Sequence, residues 1–158
     1  MMADVFTPKK RSDVMSRIRA SGNRATELRM VALFRRHAIT DWRRHDKRVF
    51  GKPDFAFWSE RVAVFADGCF WHRHKGCSKM YVPKTGRRGL QFWLHKFERN
   101  VARDRKVRRQ LRSKGWKVLR VWECQLGDRN WANIARRVQR ARKGRRRRQT
   151  RVGRVKKR

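Results

Sequence analysis

Two short apolar segments separated by two polar residues constrain the fold of this chain more than any other feature. Residues 54–58 (DFAFW) and 61–65 (RVAVF) are rich in aromatic and β-branched residues, and Ser59 and Glu60 lie between them. Such segments joined by a tight polar turn are typical of a β-hairpin. The chain is therefore predicted to contain a hairpin whose first strand opens with a carboxylate, Asp54.

Amphipathic segments flank this hairpin on both sides. Apolar residues at helical spacing predict a helix from near Thr26, whose hydroxyl can cap it, to about His37, and a longer helix that ends near Gly115. Residues 116–122 (WKVLRVW) alternate as a strand does, and a last amphipathic segment covers about Trp131–Val138. This order of elements predicts an α/β fold with a central mixed sheet flanked by helices.

The charge of the chain points to its partner. Lys and Arg number 47 against 12 Asp and Glu, a formal charge of +35, and this excess predicts a polyanionic partner such as DNA. A packaging protein would share the charge, but seven Trp and nine Phe residues suffice for a real core and for stacking on bases. No membrane-spanning segment or signal peptide is recognisable, so we expect a cytoplasmic protein, associated with the nucleoid through DNA, with no membrane partner.

The charge is also unevenly distributed along the chain, which has room for one globular domain. Residues 1–24 are polar and basic and are predicted to form an N-terminal arm. Residues 25–141 are predicted to be the globular domain. Residues 142–158 are mostly Arg and Lys, a composition that indicates a disordered tail in contact with a polyanion.

Carboxylates are scarce in so basic a chain, and three of them are candidate functional groups. Asp54 follows Pro53, so the chain arrives extended at a strand edge, where carboxylates commonly bind Mg²⁺. A turn-forming Asp fits the spacing equally well. Asp104 lies on the long helix, three residues after Val101. Glu27 lies at a helix start, where interaction with the helix dipole is the favoured explanation from spacing alone.

All three cysteines fall in a pattern that suits a metal ion. Cys69, His74 and Cys77 offer two thiolates and an imidazole within one loop, and Cys124 completes a tetrahedral set. This combination predicts a structural Zn²⁺ site with no open coordination position. His72 is left over beside the site, free to act as a base.

An aromatic pair lies inside the same loop. Phe70 and Trp71 lie between two proposed zinc ligands, so we expect them to protrude from a rigid loop, although core packing is the usual role of such a pair.

Five stretches of the chain resemble, in order, the very short patch repair (Vsr) mismatch endonuclease family. They are Gly51–Phe55 (GKPDF), Asp67–His72 (DGCFWH), Phe92–Lys96 (FWLHK), Asn100–Arg105 (NVARDR) and Gly115–Cys124 (GWKVLRVWEC). The similarity runs from about Arg11 to Leu126. It implies a fold like that of type II restriction endonucleases. It also implies a nick in one strand, 5′ of the thymine in T·G mismatches left by deamination of 5-methylcytosine.

The resemblance implies roles for individual residues. Asp54 would be the central Mg²⁺ ligand and His72 the general base, with Glu27 and Asp104 organising the attacking water and the base. The backbone carbonyl of Ala66, where many members carry Thr, would be a second metal contact. These assignments make residues 25–141 the endonuclease domain.

The resemblance also implies how DNA is contacted. Phe70, Trp71 and Trp93 would wedge into the stack beside the mismatch, and Met15 of the arm is assigned a further DNA contact. Beyond mismatched duplex DNA, the family implies a DNA cytosine methyltransferase and mismatch-repair proteins as partners, and a monomer. The chain departs from the family pattern after His74, which is separated from the next cysteine by two residues instead of one.

Two other functions share part of this pattern. A zinc-containing DNA-binding protein without catalysis would have the charge, the aromatic residues and the Cys/His cluster, but would not need Asp54, His72 and Asp104 together. A restriction-type endonuclease would share the acidic site but would cut both strands. We rank the mismatch nickase first.

Overall fold

The computed structural model describes residue 23, residues 25–80 and residues 87–155, with side chains for 23, 25–80 and 90–143. The predicted DNA contact at Met15 and nearly all of the predicted arm lie outside the described residues.

Within these residues the chain alternates between helices and strands. The elements are α1 (Glu27–Arg36), β1 (Trp42–Arg44), β2 (Phe55–Phe57), β3 (Val62–Asp67), α2 (Arg87–Ser113), β4 (Lys117–Trp122) and α3 (Trp131–Val155), with 3₁₀ turns at Glu123–Gln125 and Asp128–Asn130. Strands β2 and β3 are the hairpin predicted from the sequence. The α/β class with a mixed, helix-flanked sheet is confirmed.

The four strands form one sheet in the order β1-β2-β3-β4. The pairs β1–β2 and β2–β3 are antiparallel, whereas β3 and β4 are parallel, in a register that places Asp67 opposite Trp122. A parallel pair needs a long crossover, and α2 provides it. Because β3 and β4 end at the same edge of the sheet, the segments that follow them leave the sheet side by side.

One face of the sheet carries the larger core. Side chains alternate along a strand, so Phe55 and Phe57 share a face that packs against α1 and α3. The Phe34 ring of α1 makes an edge contact with Phe55, with 5.0 Å between the ring centroids. The fully buried side chains of this core are Met30, Leu33, Phe34, Phe55, Phe57, Val62, Val64, Val121, Leu126 and Val138.

The opposite face is lined by small residues and covered by α2. Ala56 and Ala63 are fully buried there, against Leu111 of α2 and the nearby Trp116. Alanine side chains let the helix approach the strands closely. By alternation, Asp54, Asp67 and Arg120 belong to this same face, which brings them to the side of the sheet where α2 lies.

Two details at the start of the domain differ from the sequence prediction. Strand β1 lies in a segment that the sequence suggests is only a polar connection, because its residues Trp42, Arg43 and Arg44 lack apolar alternation and form an edge strand. Thr26 precedes α1 and is buried, but its side chain makes no capping hydrogen bond.

Helix α3 runs to Val155 and so continues past Val138, near which the last amphipathic segment is predicted to end. This segment contains no proline, and Arg and Gln are good helix formers. Arg142 is tied to the sheet: its Nε donates to Glu60 Oε1 at 2.9 Å, and its guanidinium lies over the Phe57 ring. In the described part of the chain, no helix combines the length and apolarity needed to cross a membrane.

Candidate active site and metal-binding cluster

Asp54 lies directly before β2, at the edge of the sheet. Its Oδ2 accepts a hydrogen bond of 2.7 Å from the backbone N–H of Ala66 on β3. The hairpin register produces this contact, because pairing of Phe55 with Val64 brings Asp54 alongside the last residues of β3. The carboxylate and the Ala66 backbone, both assigned from the family pattern, are therefore adjacent.

The surroundings of Asp54 disfavour its negative charge. The pKa of this carboxyl is raised from 3.8 to about 6, chiefly by burial and also by the nearby carboxylates of Glu27 and Asp67, against the hydrogen bond from Ala66. His45 acts in the opposite direction. A carboxylate held in this way gains strongly from a nearby cation.

Glu27, the first residue of α1, faces two basic side chains. It is 3% exposed, and its Oε2 lies 2.6 Å from an Arg44 nitrogen and 2.8 Å from His45 Nε2. Oxygen and nitrogen atoms of Glu27, His45 and Asp54 lie within 4.8 Å of one another. The helix-dipole role favoured from spacing is therefore incomplete, because this glutamate is part of a buried cluster.

His72 lies in the loop after β3, where its backbone N–H donates to the Gly68 carbonyl. The neighbouring Trp71 carbonyl accepts a hydrogen bond of 3.1 Å from the Asn100 side chain, which ties the loop to α2. His72 Nδ1 then lies 2.6 Å from Oδ2 of Asp104, one turn further along α2. The contact with Asp104 uses Nδ1, so the second ring nitrogen, Nε2, is not engaged by Asp104.

Asp67 and Arg120 complete a network around this pair. Arg120 on β4 forms ion pairs with Asp67 and, at 2.9 Å, with Asp104 Oδ2, and Asp67 Oδ1 lies 3.5 Å from His72 Nε2. Burial raises the pKa of Asp67 in spite of these partners. Burial acts on Asp104 in the same direction, but the hydrogen bond and charge of His72 and the charge of Arg120 outweigh it and lower the Asp104 pKa.

Glu27 and Asp54 line the same open cleft, of about 1340 Å³, as the network around His72. Its walls carry Glu27, Asp54, Asp67, His72, Asp104 and Arg120 together with basic side chains such as Lys52, Arg73, Lys96, Arg105 and Arg108. A wide cleft lined by both acidic and basic side chains suits a phosphodiester backbone, which needs both cation binding and charge neutralisation.

The four predicted zinc ligands come together beside this cleft. His74 Nδ1 lies 3.5 Å from Cys69 Sγ and 3.3 Å from Cys124 Sγ, and all four ligand atoms, Cys77 included, lie within 4.8 Å of one another. The parallel register explains the long-range member, since Cys69 and Cys124 each follow their strand by two residues. A tetrahedral zinc site would separate sulfur and nitrogen ligands by about 3.6 Å.

The segment between His74 and Cys77 contains a glycine in a left-handed conformation. Gly76 has a φ of +72°, a left-handed conformation that glycine adopts without strain, and nothing crowds its α-carbon. His74 also stacks on Trp122, with 4.1 Å between the ring centroids. Burial raises the pKa of the Cys69 thiol to about 12, so this thiolate needs a bound cation to form.

The predicted wedge residues form one aromatic cluster, but they differ in exposure. Phe70 contacts Trp71, Trp93 and Phe97, with ring centroids 5.0 to 5.3 Å apart. Phe70 and Trp71 are half-buried, whereas Trp93 is 7% exposed and packs inside the cluster. The neighbouring Phe92 is 59% exposed, so it is the outward member of its helix turn.

Several site residues were missed by sequence reasoning. His45, Asp67 and Arg120 were not assigned roles. For Arg120 a signal existed: a charged residue at an inward position of the alternating strand WKVLRVW. His45 had none, because β1 itself was not recognised.

Comparisons with known proteins identify the family of this chain. The family model described as DNA mismatch endonuclease Vsr matches residues 3–79. The chain is similar to the DNA mismatch endonuclease Vsr of Escherichia coli (strain K12), with 40% identity over 128 residues, covering 81% of this chain and 78% of that protein.

Two further relatives are nicking enzymes. The type II nicking enzyme V.NmeAIP of Neisseria meningitidis is 39% identical over 125 residues, covering 79% of this chain and 85% of the relative. V.XorIIP of Xanthomonas oryzae is 37% identical over 128 residues, covering 80% and 89%. With relatives this similar over most of both chains, the chain belongs to the Vsr family of DNA mismatch endonucleases.

Proposed function

We infer that this protein nicks one strand of duplex DNA 5′ of the thymine in a T·G mismatch, by Mg²⁺-dependent hydrolysis of a phosphodiester. The observation that carries this inference is the single cleft that holds the Asp54 carboxylate and the His72–Asp104 pair together. A metal-binding carboxylate and a general base within one basic cleft are what hydrolysis of a DNA backbone requires. Relatives named as a mismatch endonuclease and as nicking enzymes support this inference.

The residues around Asp54 fit Mg²⁺ by their chemistry. Asp54 offers a carboxylate whose pKa is raised by burial, and Glu27 and the Ala66 backbone supply further oxygen atoms nearby. Oxygen ligands of this kind are the ones that Mg²⁺ prefers. Mg²⁺ held by Asp54 and the Ala66 carbonyl would stabilise the charge that develops on the phosphate.

His72 supplies the base on this proposal. Its Nε2 takes a proton from water, the water oxygen forms a bond to phosphorus, and the bond from phosphorus to the 3′ oxygen breaks, so that this oxygen leaves as a hydroxyl with a proton from solvent water. Asp104 fixes the proton on Nδ1 through the 2.6 Å hydrogen bond and stabilises the imidazolium that forms. Arg120 holds the Asp104 carboxylate in place by an ion pair of 2.9 Å.

The aromatic cluster supplies the means to choose a mismatch. A T·G wobble pair stacks less well than a matched pair, so an apolar wedge opens it at lower cost. Phe70 and Trp71 are half-buried beside the cleft and are the wedge on this proposal, with the buried Trp93 supporting them. The basic cleft walls contribute affinity without sequence information.

On this proposal a structural zinc holds the loop of residues 69–77, which carries Phe70 and Trp71. Cys69, His74, Cys77 and Cys124 have the donor chemistry and the spacing for a closed tetrahedral site, and Phe70 and Trp71 lie between two of these ligands. A bound zinc would fix the loop that also carries His72. All these groups come from one chain, in keeping with a monomer of arm, endonuclease domain and basic tail.

Duplexes with each strand labelled separately test this function. Purified protein with Mg²⁺ is incubated with matched DNA and with DNA that contains one T·G pair. We expect a nick only in the thymine strand of the mismatched duplex. Cleavage of both strands of matched DNA would indicate a restriction-type enzyme, and binding without any cleavage would indicate a DNA-binding protein.

A further inference from the structure

His45 contacts the acidic site, but the mechanism leaves it without a role. Its Nε2 lies 2.8 Å from Glu27 Oε2, and its imidazole is 32% exposed. Together with Asp54, these two residues form the cluster whose ligand atoms lie within 4.8 Å of one another. An imidazole nitrogen is the one donor in this cluster that is not oxygen.

The sheet holds His45 in this place by its backbone. Pairing of Arg44 with Phe55 puts His45 directly opposite Asp54, and the His45 N–H donates to the Asp54 carbonyl at 3.3 Å. The side chains of His45 and Asp54 also reach the same cluster, since their ligand atoms lie within 4.8 Å of each other. His45 also adopts a φ of +47°, a conformation that is costly for a residue with a side chain. The backbone of His45 is therefore held beside Asp54, and its imidazole contacts Glu27.

The distances suit a shared ion. Ligands at about 2.0 to 2.2 Å from one metal ion lie about 3 Å apart when adjacent and a little over 4 Å apart when opposite. The 2.8 Å contact between His45 and Glu27 is the separation of adjacent ligands. In the structure Arg44 also contacts Glu27 Oε2, at 2.6 Å, so a metal ion would compete with this guanidinium for the glutamate.

We propose that His45 is a nitrogen ligand at the Asp54 metal site, which makes this site bind Mn²⁺ more tightly than Mg²⁺. The inference rests on the proposed role of Asp54 as a metal ligand. Mg²⁺ binds almost entirely through oxygen, whereas divalent transition metals accept imidazole beside carboxylates. The nitrogen therefore adds affinity for Mn²⁺ that it does not add for Mg²⁺.

Electron spin-echo spectroscopy of Mn²⁺ bound to the full-length, zinc-loaded protein tests the proposal without any cleavage measurement. Mn²⁺ lies at the weak end of the divalent affinity series, so it leaves zinc in the thiolate site. We expect a ¹⁴N coupling in the wild type that is lost in His45→Gln, whose amide still hydrogen-bonds Glu27. The matched control is His72→Gln, which removes the imidazole that lines the same cleft and should retain the coupling.

Binding titrations complete the test. We expect Mn²⁺ affinity to fall about tenfold or more in His45→Gln, and Mg²⁺ affinity, measured by competition, to change less than about threefold, since it depends on oxygen ligands. No ¹⁴N coupling in the wild type, or a coupling that survives in His45→Gln, would overturn the proposal. If His45→Gln does not fold, the wild type and His72→Gln decide: coupling in both supports His45, and coupling lost in His72→Gln overturns it.

Asp54→Ala separates this proposal from the proposed function. Loss of Mn²⁺ binding in Asp54→Ala, with no nitrogen coupling in the wild type, would leave the function standing and remove only the role of His45. Undiminished Mn²⁺ binding in Asp54→Ala would contradict both.

Discussion

The imidazole of His72, in a loop, and the carboxylate of Asp104, on α2, are joined by a hydrogen bond of 2.6 Å, although the two residues are 32 positions apart in the sequence. The same carboxylate oxygen pairs with Arg120 from β4. The loop, α2 and β4 are thus linked through Asp104 Oδ2, and these contacts orient the His72 imidazole in the cleft.

Loss of the Asp104 charge should therefore impair catalysis and spare binding. In Asp104→Asn the imidazolium loses its stabilising carboxylate, so we expect nicking of T·G duplexes to slow by about 10²-fold or more. Affinity for the same DNA should change little. Asp128→Asn removes a carboxylate from an exposed position outside the cleft and should nick at the wild-type rate. Single-turnover nicking and filter binding measure both, and an equal rate in the two variants would remove Asp104 from the mechanism.

The raised pKa of Asp54 predicts a pH dependence of stability. Burial lifts this pKa from 3.8 to about 6, so the folded protein binds a proton more readily than the unfolded chain does. Without divalent metal, stability should then fall as pH rises from about 4 to about 6, by up to about 3 kcal/mol. Asp54→Asn removes this penalty.

Thermal melting in chelator checks that dependence. Asp54→Asn should melt above the wild type at pH 8, and the difference should vanish near pH 3.5, where the wild-type carboxyl is also neutral. A variant that is less stable than the wild type at pH 8 would show that Asp54 is not destabilised by burial.

Removal of one thiolate should release the zinc. Cys77→Ser keeps the shape of the side chain but supplies a far weaker ligand, so we expect about one zinc per chain in the wild type and much less in the variant. Ser78→Ala, an exposed neighbour in the same loop, should keep the metal. Elemental analysis together with melting tests this, and active wild-type enzyme without zinc would remove the four ligands from the site.

Trp71 should contribute to mismatch choice more than to stability. In Trp71→Ala, loss of stacking worth ~1–3 kcal/mol per base should lower nicking of T·G duplexes far more than any nicking of matched DNA. The matched control is Trp58→Ala, because Trp58 is 40% exposed and lies outside the cleft. This control should keep the wild-type preference for T·G duplexes. A core role for Trp71 would instead cost ~3–5 kcal/mol of stability and lower activity on every substrate alike.

Local patterns predicted the fold well, because the hairpin and the helices depend on apolar residues close together in the sequence. Cys69, His74 and Cys77 are also close together in the sequence, whereas Cys124 joins their cluster only through the fold. The Arg120 contacts with Asp67 and Asp104 join residues more than 15 positions apart, and no local pattern encodes them. Trp93, which the family resemblance assigns to the wedge, is 7% exposed and contacts the Phe70 ring within the aromatic cluster.

Cleavage by Asp54→Ala tests the central claim most directly. Wild type, Asp54→Ala and the control Asp128→Ala are incubated with Mg²⁺ and a T·G duplex labelled on each strand, and binding is measured in parallel. The account predicts that Asp54→Ala makes no nick while it binds the mismatched duplex within about threefold of the wild type, because only a metal ligand is lost. Mg²⁺-dependent nicking of the thymine strand by Asp54→Ala would contradict it.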